Sequence, residues 1–117
     1  MSPKDLTIKI VGSLAEKKAQ EIKVLTLEGL TSMTDYFVIC TGSSTTQIKA
    51  MADFVLEKCK EEGITQKHIE GYRDANWILL DFGDVVVHVF HSEMRGFYSL
   101  ERLWADAPLM DIEEYIN

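Results

Sequence analysis

A chain of 117 residues that is 46% hydrophobic and 26% charged has the size and make-up of one folded domain, which excludes a disordered or fibrous polypeptide. Its longest mainly apolar stretches, Tyr36–Cys40 and Val85–Phe90, are far too short to cross a bilayer. The opening residues lack the basic-then-apolar plan of a secretory leader, so a cytoplasmic protein is expected. With 19 acidic and 12 basic residues the net charge is −7, which argues against direct binding of nucleic acid and suits a basic protein partner better.

The first predicted element is a helix from Pro3 to Lys18. Ser2 can cap it, Pro3 suits the first helical position and Asp5 favours the first turn, while Leu6, Ile10 and Leu14 recur on one face. A strand is expected over Ile22–Leu27. The loop Glu28–Asp35 is long enough for the next strand to run antiparallel to it. Tyr36–Thr41 is almost wholly apolar and rich in aromatic and β-branched residues, the pattern of a strand covered on both faces.

After Gly42-Ser43-Ser44 the sequence predicts a second helix. Ser44 and Gln47 have capping-box spacing, Ile48, Met51, Ala52, Val55 and Cys59 form an apolar stripe, and Gly63 marks the end. A further extended stretch at Lys67–Tyr72 suggests a right-handed β-α-β crossover. The hairpin Trp77–Phe90 follows, turning on Gly83-Asp84. That turn pairs Trp77 with Phe90, Leu79 with His88 and Asp81 with Val86. Because side chains alternate, Ile78, Leu80, Phe82, Val85, Val87 and Val89 form a core face, and Trp77, Leu79, Asp81, Val86, His88 and Phe90 the opposite one. A last helix is expected over Ser92–Trp104, with Phe97, Leu100 and Trp104 on one side and Met94 and Tyr98 beside them.

The order α-β-β-α-β-β-β-α describes a single α/β domain, a mixed sheet of about five strands with flanking helices. The domain is expected to span residues 1–106, followed by an acidic tail, 107–117, that is either a short docked helix or a mobile end.

Catalytic readings of these residues are weak. Gly42-Ser43-Ser44 sits where backbone amides can hold an anion, and resembles the glycine-serine turn of nucleotidyltransferases. Yet Asp81 and Asp84 are not spaced to hold magnesium, and no Walker lysine follows the glycine. His88 and His91 form no recognised ligand motif. Cys40 and Cys59 fit apolar core positions, where a buried thiol is inert rather than nucleophilic. No enzyme activity, metal or cofactor is therefore expected. The strongest constellation is the aromatic patch Trp77, Leu79 and Phe90, continued by Met94, Tyr98 and Trp104, with Arg95 and Arg102 at its rim. Aromatic residues with arginine are the composition of binding hot spots. The pattern alone does not separate an exposed patch from core covered by the last helix.

Three segments together resemble a known family. They are Thr34–Ser44 (Thr-Asp-Tyr-Phe-Val-Ile-Cys-Thr-Gly-Ser-Ser), Gly83–Phe90 (Gly-Asp-Val-Val-Val-His-Val-Phe) and Arg95–Ala107, with Glu70-Gly71 and Ala75–Asp81 between them. In this order they resemble the Iojap-like family of ribosomal silencing factors over nearly the whole chain. The resemblance implies a nucleotidyltransferase-like fold without the catalytic acids. It also implies binding to ribosomal protein fourteen on the large subunit, where the factor sterically prevents joining of the small subunit and lowers translation when nutrients are scarce. The tryptophan and tyrosine linked to that contact correspond to Trp77 and Tyr98, and Leu79, Phe90, Met94, Arg95 and Trp104 lie around them in the partner-binding patch. Two other uses of these residues stay open at this point: a nucleotide-binding or nucleotidyltransferase-like enzyme, and a patch that makes a homodimer.

Overall fold

The computed structural model describes residues 1–94, 102 and 104–116. In chain order they form α1 (Pro3–Glu16), β1 (Gln20–Thr26), β2 (Tyr36–Gly42), α2 (Thr45–Glu61), β3 (His68–Glu70), β4 (Trp77–Asp81), β5 (Val85–His91) and a short α3 (Glu113–Ile116). The five strands make one mixed sheet in the order β1-β2-β5-β4-β3. Only the central β2–β5 pair is parallel.

Local chemistry explains most of the element ends. The Ser2 hydroxyl accepts from the Asp5 amide at 3.1 Å and opens α1, as its sequence predicts. The helix stops two residues earlier than expected. Lys18 adopts φ 62°, and the Ala19 amide donates back to the Leu14 carbonyl at 3.0 Å, closing the helix without the glycine that usually marks such an end. Strand β1 then starts earlier than expected and carries a bulge between Gln20 and Lys23, where Glu21 has φ 50°. For α2 the Ser44 hydroxyl caps the Gln47 amide, and Gly63 at φ 74° lets the chain turn out of the helix.

The hairpin register is the one its turn dictates, with Trp77 opposite Phe90, Leu79 opposite His88 and Asp81 opposite Val86. The crossover through α2 departs from a simple β-α-β unit. Strand β3 lies at the sheet edge, separated from β2 by β5 and β4. The hairpin takes the place beside β2 because Val85, Val87 and Val89 present far more apolar surface than three-residue β3.

Helices α1 and α2 cover one face of the sheet. Leu6, Ile10, Val11 and Leu14 of α1, and Ile48, Met51, Ala52 and Val55 of α2, pack against Val24, Val38, Cys40, Ile78, Leu80, Val85, Val87 and Val89. All six residues assigned to the hairpin's core face from its alternation are buried. The segment after Asp106 is docked. The Thr26 amide donates to the Pro108 carbonyl at 2.8 Å and the Met110 amide to the Val24 carbonyl at 2.9 Å, which screens the outer edge of β1, and Ile112 enters the core.

Candidate interaction face

The face of the sheet opposite α1 and α2 has a smaller core of its own. Leu25, Leu27, Ile39, Phe90 and Ala107 are buried there, with Phe37, Trp77 and Trp104 half-buried around them. Its side chains come from four strands. Leu25 and Phe37 sit opposite one another on β1 and β2, Phe37 lies beside Val86 across the parallel pair, and Leu79 faces His88 on the hairpin.

The expected patch residues occupy different positions. Trp77, Leu79, Met94 and Trp104 are partly exposed. Phe90 is 0% exposed and stacks beneath Trp77 with ring centroids 5.0 Å apart, so it supports the patch from below rather than offering surface. Arg95 and Tyr98, and most of the helix expected over Ser92–Trp104, lie outside the described residues. The start of that helix differs from expectation: Ser92, Glu93 and Met94 form a turn, held by the Met94 amide on the His91 carbonyl and the Glu93 amide on the His91 ring. The exposed Arg102 is helical.

His88 ties the patch together. It is 3% exposed, makes an edge-on contact with Phe37 at 4.6 Å, and accepts a hydrogen bond from Trp77 Nε1 on its Nδ1 at 3.1 Å. The indole nitrogen can only donate, so the neutral ring carries its proton on Nε2. Burial favours this neutral form and holds the pKa down to about 4. Among the described residues Nε2 has no partner.

Beside His88 a cleft of about 230 Å³ opens between the β1–β2 loop and Trp104. Leu27, Phe37, Leu79 and Val86 line it, with Thr31, Met33 and Thr34 from the loop. The β1 and β2 contributions were not singled out from the sequence. Tyr36–Gly42 is apolar throughout, so alternation does not reveal which of its side chains face outward. The alternation of Leu25 and Leu27 with Thr26 was the one available signal.

The other candidate chemistry resolves differently. The Ser43 amide and hydroxyl both donate to Gln47 Oε1, at 2.7 and 3.0 Å, so the side chain of Gln47 occupies the place an anion would take. A Cβ on Gly42 would lie 2.7 Å from Ile48 Cγ1, which makes that glycine a packing requirement of α2 against β2. Cys40 and Cys59 are both buried, and burial pushes the Cys59 thiol up to about 11, away from the thiolate a nucleophile needs. His88 and His91 point to opposite faces of β5, and among the described residues no group of three His, Cys, Asp or Glu side chains could hold a metal ion. No helix among the described residues is long and apolar enough to cross a membrane.

The family model for RsfS, ribosomal silencing factor during starvation, matches residues 1–117. The chain belongs to this family. The ribosomal silencing factor of Halalkalibacterium halodurans is 42% identical over 117 residues, covering 100% of both chains. That of Bacillus subtilis is 46% identical over 102 residues, covering 87% of this chain and 86% of the relative. A crystal structure of a protein from Chromobacterium violaceum superposes with a TM-score of 0.87 at 35% identity, over 90% of this chain and 88% of that one. Among its described residues the chain is thus a five-stranded mixed sheet with both long helices on one side, and half-buried aromatic residues with a cleft beside them on the other.

Proposed function

We propose that this ribosomal silencing factor binds the large ribosomal subunit through ribosomal protein fourteen and blocks subunit joining by occupying the space the small subunit needs, repressing translation when nutrients are limiting. The observation that carries this reading is the half-exposed aromatic face built on Trp77, Leu79 and Trp104, in a chain whose whole length matches the family. Large aromatic side chains resting on a buried support are the usual anchors of protein interfaces. Phe90 supplies that support, and the proposed contact also draws on Met94, Arg95 and Tyr98. The net charge of −7 favours docking on a basic protein and opposes direct contact with rRNA.

The proposed action needs no catalysis. The Gly42-Ser43-Ser44 turn has its Ser43 amide taken by Gln47, and the Cys59 thiol is held protonated. A body pinned on the joining face acts by its volume alone. The test is co-sedimentation of the purified protein with isolated large subunits, followed by addition of small subunits at limiting magnesium. Wild type is expected to travel with the large subunit and to lower the joined fraction, and the Trp77→Ala/Tyr98→Ala double variant to do neither. Wild type remaining in the supernatant, or joining unchanged by bound protein, would refute it.

A further inference from the structure

The cleft beside His88 holds four features that together describe an occupant. Its volume of about 230 Å³ is below the roughly 300–1,000 Å³ of small-molecule pockets and suits an inserted side chain. Its walls are apolar on the sheet side: Leu27, Phe37, Leu79 and Val86. At its mouth Met33 is 83% exposed, and Leu30, 49% exposed, lines a second depression beside Trp104. Two large apolar side chains held in water next to an apolar cleft mark a surface that a partner covers.

The third feature is a fixed wall: His88, which lines the cleft, is held by Trp77 Nε1 at 3.1 Å and by the edge-on contact with Phe37. A wall fixed before binding has little side-chain entropy left to lose. The fourth is charge. Asp81 is part of the wall, Asp35 directly follows the wall residue Thr34, and the Asp35 amide bonds to the Asp84 carbonyl at 2.9 Å, so three acidic residues gather at one end. Among the described residues none of the three forms an ion pair and no Lys or Arg lines the cleft.

We propose that this cleft seats one apolar side chain from a basic protein segment. Its flanking Lys or Arg side chains lie against Asp35, Asp81 and Asp84. The proposal rests on the large-subunit reading for the partner's source, and extends the contact from the hairpin aromatics to the β1–β2 loop. Phosphate-rich partners are excluded from the same place by the three carboxylates.

Two experiments test it. The first is an NMR titration of the intact protein, following the Met33 methyl and His88 ring signals, with the capped peptides Lys-Leu-Lys, Glu-Leu-Glu and Lys-Ser-Lys. Saturable shifts with the first peptide alone are expected. Equal shifts with either control, or none with Lys-Leu-Lys, would overturn the proposal. The second is binding to isolated large subunits by wild type, Met33→Ser, Asp81→Asn and Asp84→Asn. Asparagine keeps the shape of each aspartate while its charge is lost, and the exposed Met33 can be replaced without disturbing the core. At least tenfold weaker binding by each variant is expected. If wild type binds and all three variants match it, the cleft proposal falls while the large-subunit reading stands. If wild type fails to bind subunits yet selects Lys-Leu-Lys, the large-subunit reading falls and the cleft keeps its basic, apolar ligand.

Discussion

Trp77 Nε1 donates to His88 Nδ1 across the β4–β5 hairpin at 3.1 Å, and this one bond fixes both the tautomer of a buried histidine and the angle of a half-exposed indole. The two residues are diagonal neighbours on one sheet face, which brings side chains of this length within reach. A partner that covers Trp77 therefore meets an aromatic ring already held in place, with little side-chain entropy left to lose on binding.

The tautomer gives a direct test. In wild type the 15N spectrum of His88 is expected to show the neutral ring with its proton on Nε2. In Trp77→Phe the acceptor at Nδ1 loses its donor, and the ring is expected to move toward a mixture of tautomers. The lost hydrogen bond costs about 1 kcal/mol of stability. An unchanged tautomer in the variant would show that other contacts hold the ring.

Stability should depend on pH through the same residue. Burial lowers the His88 pKa to about 4 in the folded chain, against 6.5 when it is unfolded. Between these values the unfolded chain binds a proton that the folded chain does not. The contribution of His88 is thus complete above pH 6.5, declines as pH falls, and is gone below about 4. At 1.36 kcal/mol per pKa unit the loss is roughly 3 kcal/mol. Urea denaturation at a series of pH values measures it, and the decline should be much shallower in His88→Asn. Parallel curves for the two proteins would remove His88 as the cause.

Gly71 is a separate constraint on the patch. It has φ 76°, and a Cβ there would fall 2.0 Å from the Trp77 carbonyl oxygen. The backbone of Gly71 therefore packs directly on the start of β4. Gly71→Ala combines a left-handed backbone with a clash against main chain that cannot rotate away, and should cost about 2–4 kcal/mol. Thermal unfolding reads the loss. By contrast Gly12→Ala, in a helix with nothing near its Cβ, should leave stability equal or higher.

What could be read in advance follows the distance over which each signal acts. Ser2 with Pro3 opens α1, Ser44 caps α2, and the Gly83-Asp84 turn sets the whole hairpin register, because each works within a few residues of chain. The α1 end was missed because Lys18 takes a left-handed conformation usually given to glycine. The cleft was missed because its two halves meet only through the parallel β2–β5 pairing, which places Phe37 beside Val86 with some fifty residues of chain between them. Burial of Phe90 could not be told from exposure, since an aromatic residue on the outer face of a strand fits both.

The segment after Asp106 offers the last prediction. Its backbone bonds to β1 through Thr26 and Val24, and Ile112, 8% exposed, packs into the core that α1 and α2 share with the sheet. If that docking is part of the fold, Ile112→Ala should cost about 2–4 kcal/mol, as for other large-to-small changes in a core. Removing residues 107–117 should cost more, because it uncovers the edge of β1 as well as the core, and an unpaired strand edge invites association between chains. Urea denaturation of the point variant, and sedimentation of the truncated protein, measure the two effects. An Ile112→Ala variant as stable as wild type would mean that the tail rests on the domain without holding it together.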